Sequence, residues 1–282
     1  MTESLQTGGS MRRLEGFASP SWDDPFWHAV RMLVDIFKRK VPTEDEILPP
    51  LLAWEEQQVA TFDSYLRRRS ALVKPLAEYL SLRAELSSDL LGLMRSEEEA
   101  KEDFAAISTK QLQSYGTQMA HHQSSKALVA TVEAITIEIC ARHGKTVNVN
   151  PQRRASAVAD DHLWVSPRRL DGAFPGLSNP QALWEIKEYW GKTSGGSKMS
   201  DAIYECQLVG TELRAFEALH GVKIKHYALL DGRHQWSARI SDLRRAVDLL
   251  YSGLLDELIV GREVLTTWPK VVEELCLEDV TL

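Results

Sequence analysis

The chain has 282 residues, 44% hydrophobic and 26% charged, which is ordinary for a globular protein and enough for one large domain or two modest ones. No apolar run approaches the roughly 18 residues that a membrane span needs, so a transporter or membrane-bound protein is excluded as a reading. A net charge of −7 argues against non-specific coating of nucleic acid. Three scattered cysteines (Cys140, Cys206, Cys276) with no Cys-x-x-Cys pair fit reduced thiols in a cytoplasmic protein.

Residues 1–20 lack the apolar core of a secretory signal and are expected to form a flexible tail. Residues 21–125 read as an α-helical domain. "SWDDPFWHAVRMLVDIFKRK" offers Ser21 or Asp23 as a cap and Pro25 in the first turn, with Phe26, Val30, Leu33 and Phe37 at helical spacing. A second helix is expected from the Pro49-Pro50 break to Ser70, with Leu51, Trp54, Phe62 and Leu66 inward. Leu76, Leu80, Leu90 and Leu93 mark a third helical stretch after Pro75, and "SEEEAKEDF" opens a fourth with a Ser96/Glu99 capping box. This half is acidic and has no catalytic motif, so it is a poor grip for phosphates. Its apolar stripes must be covered by the rest of the chain, a second copy or a partner subunit. Self-association as a homo-oligomer, or docking to a partner protein, is expected.

The pattern changes near residue 126, where a second domain, 126–282, is expected. "KALVATVEAITIEICARHG" reads as an apolar helix closed by Gly144, and "KTVNVNP" as a strand. "DHLWVSPRRLDGAF" is a second extended segment broken at Pro167, and "ALWEIKEYW" a third. "GKTSGGSK" is a loop, "SDAIYECQLVGTELRAFEALHG" a helix, "VKIKHYALL" a strand and "ISDLRRAVDLLYSGLLDELIVGREV" helical. The order α-β-β-β-α-β-α predicts a mixed α/β fold with helices covering a small sheet.

Within that domain, residues 143–200 hold eight Lys/Arg against five Asp/Glu, a local +3 that leaves −10 for the rest. In the strand "ALWEIKEYW", alternation puts Glu185, Lys187 and Tyr189 on one face and Trp184, Ile186 and Trp190 on the other, where the tryptophans read as core. Glu-x-Lys is a common pattern; Glu99-Ala100-Lys101 is a second copy on an exposed helix start. The face is either solvated or a site. Context favours a site: Asp171, 14 residues before Glu185, would face it across a hairpin. Two close carboxylates repel unless a cation lies between them, so the pair is a natural Mg²⁺ site, with Lys187 placed to orient a water. Glu133 or Glu138, embedded among Ala, Val and Ile, brings another acid that needs a partner. "GKT" at 191–193 is not a phosphate loop, because position 186 is Ile rather than Gly. His121-His122 are neighbours that point apart on a helix, a poor metal pair.

The order of helix acid, Asp171, a 13-residue gap, Glu185-Ile186-Lys187 and an amphipathic helix resembles the PD-(D/E)XK (restriction-endonuclease-like) nuclease superfamily, over roughly residues 126–235. The resemblance implies a Mg²⁺- or Mn²⁺-dependent endonuclease acting on DNA, most simply double-stranded, in restriction or anti-phage defence. It implies that Asp171 and Glu185 hold the metal with the Ile186 carbonyl, that Lys187 works with the attacking water, and that Glu133 is the helix acid. Arg168, Arg169, Lys192, Thr193 and Lys198 become candidate DNA contacts, and Asp201, Glu205 or Gln207 candidate supports for the metal or lysine. Leu170 stands where the superfamily often has proline. The competing reading is a catalytically inactive copy of the fold that binds DNA or a partner protein.

Overall fold

The computed structural model describes residues 17, 19–58, 70–115, 126–191 and 196–278. The expectations for the tail before residue 17, for Phe62, Leu66, His121, His122, Lys192 and Thr193, and for the side chains of Leu51 and Trp54, lie outside them. The architecture is mixed α/β.

Helix α1 (Pro25–Phe37) has Asp24 as its cap, the carboxylate accepting the Phe26 N–H at 2.8 Å, in place of Ser21 or Asp23. Helix α2 (Glu44–Gln58) starts before the Pro49-Pro50 pair rather than after it. An acidic first turn of Glu44, Asp45 and Glu46 favours that start, and Ile47 buries fully to anchor it. Helices α3 (Val73–Leu93) and α4 (Glu97–Tyr115) follow, the latter opened by a reciprocal Ser96–Glu99 capping box at 2.8 and 3.2 Å. Helix α5 (Ala127–Arg142) ends before Gly144, which takes φ +61°.

A two-stranded hairpin, β1 (Ser156–Ala159) and β2 (His162–Val165), stands apart from the main sheet. The main sheet has the order β3 (Gly172–Phe174), β4 (Ala182–Glu188), β5 (Lys225–Asp231), β6 (Glu257–Val260). β3 and β4 are antiparallel; β4, β5 and β6 are parallel. The crossover from β4 to β5 is α6 (Gly196–His220), and that from β5 to β6 uses α7 (Arg233–Ala238) and α8 (Ile240–Tyr251). Helix α9 (Thr267–Leu277) follows the sheet.

Three expectations for this half are corrected. "KTVNVNP" is not a strand: Asn148 makes one antiparallel bridge to Ala173, then its side chain accepts the Asn150 N–H at 3.2 Å and turns the chain away. The segment 162–174 is not one element, since β2 and β3 belong to different sheets on either side of Pro167. The stretch after Tyr251 is not helical throughout, because Glu257–Val260 is a fully buried parallel strand.

One face of the sheet packs Trp184, Ile186, Tyr227, Leu229 and Ile259 against α5 and α9. The opposite face continues without a break into the N-terminal helices: Ala228, Leu230, Leu258 and Val260 share a core with α6, α8, α1 and α3. Leu76, Leu80, Leu90 and Trp27 are buried in that core, so these stripe positions are covered by the chain itself. The joint is sealed by Arg95, in the α3–α4 loop, whose side chain pairs with Asp231 at the end of β5 at 2.7 Å, both fully buried. The Arg95 N–H also donates to Asp231, and its guanidinium reaches Asp103 at 2.9 Å. Beside it Gly261 (φ +55°) has no room for a side chain, since a Cβ would stand 2.1 Å from the Leu93 carbonyl oxygen.

Candidate functional site

Glu185 and Lys187 leave β4 on the side of α6, opposite Trp184 and Ile186. Glu185 is fully buried and Lys187 nearly so. In the β3–β4 ladder Gly172 faces Trp184, so the next pair outward is Asp171 with Glu185. The Asp171 N–H donates to the Trp184 carbonyl at 3.0 Å, and the Asp171 carboxylate accepts the Ile186 N–H at 2.7 Å. Both peptide groups point to the β3 edge of β4, so by alternation the Ile186 carbonyl opens toward the same edge. Gly172 makes the approach possible: a Cβ there would lie 1.8 Å from the Trp184 ring.

Three charged side chains meet around Glu185. Lys187 Nζ lies 2.8 Å from Glu185 and 2.9 Å from Glu205 of α6. Arg168 Nη1 donates to both Glu185 oxygens, at 2.9 and 2.7 Å, and also to Glu205. Burial pushes the Glu185 carboxyl above its usual range, against the pull of Lys187 and Arg168. Burial also works against the Lys187 charge, but the Glu185 carboxylate outweighs it and the ammonium is held more firmly than in water. Below this cluster Cys206 is buried, its thiol pushed up to about 12 by desolvation, which makes it an inert neighbour rather than a nucleophile.

The cluster borders a cleft of about 850 Å³ to which Asp171, Arg168, Arg169 and Glu133 contribute. Its other cations are Lys126, Arg153 and Arg154, giving five positive side chains to two acids in the lining. Glu133 therefore stands on the cleft wall, whereas Glu138 does not line it. Arg169 is exposed there; Lys198 is exposed at the start of α6 and is not among the cleft residues. Of the three helix positions considered as supports, Glu205 joins the cluster. Asp201 is exposed, and Gln207 lines a different cavity between α6 and α1. Sequence reasoning passed over Arg153, Arg154 and Lys126 as site residues. The +3 charge of residues 143–200 signals the two arginines, without indicating which cations converge, and Lys126 lies outside that stretch.

Glu188, one step past Lys187, faces the other way. It accepts the Leu128 N–H at the start of α5 at 2.9 Å and the Trp190 indole N–H at 2.8 Å. Desolvation pushes its carboxyl up to about 7.

Asp171, Glu185 and the Ile186 carbonyl are hard oxygen donors at one sheet edge, a set whose chemistry suits Mg²⁺ or Mn²⁺. They fit such an ion on one condition. Arg168 already clasps both Glu185 oxygens and must swing off; with its side chain about one-third exposed, it has solvent to move into. Among the described residues no group of three or more His, Cys, Asp or Glu side chains is gathered as for a metal.

Residues 95–275 match the family described as "Domain of unknown function (DUF7687)", and the chain belongs to that family. The match begins at Arg95, the residue that seals the joint between the helices and the sheet. No curated protein and no solved structure matches the chain. Among the described residues no helix is long and apolar enough to cross a membrane.

Proposed function

We propose that this chain is a divalent-metal-dependent nuclease of the PD-(D/E)XK, restriction-endonuclease-like kind, hydrolysing phosphodiester bonds in DNA, most simply double-stranded, in a restriction or antiviral role. One observation carries the reading: Asp171 and Glu185 are antiparallel neighbours, with Lys187 buried beside Glu185, at the edge of a cleft lined by five cations. The mixed sheet flanked by α5 and α6 agrees with the core that such nucleases have.

Asp171 and Glu185 would hold Mg²⁺ or Mn²⁺, assisted by the Ile186 carbonyl; a bound ion supplies a water of lowered pKa and neutralises charge on a phosphate oxygen. The protein's own contributions follow from the geometry. Asp171 is fixed by the Ile186 N–H, so it needs no reorganisation on loading. Lys187, kept charged by Glu185 and Glu205, is a donor that orients the attacking water and stabilises charge on the phosphate. Arg169, Arg153 and Arg154 bind backbone phosphates along the cleft, and Arg168 is positioned to exchange its carboxylate partners for a phosphate. Glu133 on the α5 wall is placed to accept a proton from, or orient, a water in the same cleft.

A second reading has its own observation. The clasp of Glu185 by Arg168 and Lys187 is a self-satisfied ion cluster, as expected of a module that binds DNA or a protein without cutting. Incubating plasmid and linear DNA with the full chain and Mg²⁺ or Mn²⁺ separates the two. The nuclease reading expects degradation that stops in EDTA and in Lys187→Ala. Binding without cleavage over every divalent metal, unchanged in Glu185→Ala, establishes the second reading instead.

A further inference from the structure

A second cavity, of about 820 Å³, lies between α1, α6 and α8, within the size range of small-molecule sites. It stands on a different face of α6 from the Glu185 cluster: Glu205 points to the cluster, while Tyr204 and Gln207 line this cavity. Its inner wall is apolar, with Val30, Val34, Ile203 and Leu249.

The charges around it are not balanced for folding. Six cations line it (Arg31, Lys38, Arg39, Arg83, Arg244 and Arg245) against three acids, Asp23, Asp35 and Asp248. Some of these are spoken for: Arg83 makes a two-pronged pair with Asp248 at 2.6 and 2.8 Å, Lys38 pairs with Asp35, and Arg245 with Asp242. Arg244 is not. Among the described residues its Nε is buried without a hydrogen-bond partner, and its Nη1 makes a long 3.4 Å hydrogen bond to the Arg39 carbonyl oxygen. Desolvation and the nearby Arg83 and Arg39 cations hold its guanidinium below the usual arginine value. A half-buried arginine with other cations and one acid, Asp248, in the same lining, and with an orphaned buried N–H, has room to take an anion.

An aromatic platform stands at the same cavity. Tyr204 is 55% exposed, with the Arg245 guanidinium 5.7 Å from its ring centroid, and Trp22 is half-buried nearby. We propose that the cavity is a binding site for a nucleoside phosphate, its phosphate received by Arg244 and Arg39 and its base lying on the apolar wall beside Tyr204. Guanidinium groups match phosphate oxygens two at a time, which an exposed lysine patch does not. The acids in the lining disfavour a continuous polyanion, which sets this site apart from the basic cleft. The inference does not depend on the nuclease reading.

The test is calorimetric titration of the full chain with AMP, ATP, adenosine and inorganic phosphate. AMP or ATP should bind more tightly than either adenosine or phosphate alone. Arg244→Gln should weaken that binding by about tenfold or more, equivalent to about 1.4 kcal/mol. This variant removes a repelled cation, so its melting temperature should not fall; Tyr204→Ala, at an exposed side chain, is the second variant and should also weaken binding. Failure of every nucleotide to bind with a Kd below about 1 mM overturns the proposal. So does binding that survives Arg244→Gln and Tyr204→Ala but vanishes in Arg153→Gln, which puts the nucleotide in the basic cleft.

Discussion

Two buried ion clusters in this chain make opposite use of the same chemistry. Arg95 and Asp231 are both sealed from solvent, and Asp231 also accepts the Arg95 and Gly232 N–H groups, so the pair is closed by hydrogen bonds on the acid side. It joins the α3–α4 loop to the end of β5 and lines neither the basic cleft nor the cavity beside α1. Glu185 and Lys187 are nearly as deep, but their partner Arg168 also lines the basic cleft, whereas Asp103, the partly exposed partner of Arg95, does not. Three carboxylates (Asp171, Glu185, Glu205) meet two cations there, more charge than packing needs. An excess of carboxylate beside a cleft is what the proposed function would use.

The largest effect that separates the two clusters is on stability. Arg95→Ala strands Asp231 without its cation and should cost about 3–5 kcal/mol, read by urea denaturation. Glu185→Gln leaves Lys187 its contact with Glu205 and relieves a carboxylate that burial already disfavours, so it should cost less than about 1 kcal/mol or stabilise. Equal losses in the two variants would make both clusters structural and erase the contrast.

Gly172→Ala comes next. The added methyl meets the Trp184 ring and must displace either the indole or Asp171, for a loss of about 1–3 kcal/mol in the same denaturation assay. Arg153→Gln and Arg154→Gln sharpen the functional side. Each should lower the slope of log affinity against log salt by about 1 for duplex DNA, with little change in melting temperature.

A pH dependence is expected at Glu188. Its carboxyl is raised from 4.5 to about 7 by burial, so the stability it contributes is full below pH 4.5 and is lost as pH rises to about 7. Relative to Glu188→Gln, the wild type should lose stability between pH 5 and pH 7.5, by no more than about 3 kcal/mol. Parallel stability curves for the two proteins over that window would contradict the assignment.

Much of the site was legible because its elements obey local rules. The β4 alternation announces which face carries Glu185 and Lys187, and α5 closes just before Gly144. The Ser96/Glu99 box opens α4. What sequence could not resolve was set by tertiary contacts. β6 is buried on both faces and reads as a plain apolar run, which periodicity cannot tell from helix. The convergence of Arg153, Arg154 and Lys126 depends on a loop and a helix start brought to the same edge by the fold. The N-terminal stripes were visible, but that they pack on α8 and the sheet rather than on another molecule was not. Self-association of these helices, if measured by light scattering, has to use a surface other than Leu76, Leu80, Leu90 and Trp27.

Under the proposed function, Asp171 and Glu185 are held together to bind a divalent ion. Calorimetric titration of Mn²⁺ into the full chain and into Glu185→Gln tests it without relying on catalysis. One ion should bind the wild type, with affinity lowered by about tenfold or more, about 1.4 kcal/mol, in the variant. Identical isotherms, or no Mn²⁺ binding by the wild type, would contradict the account.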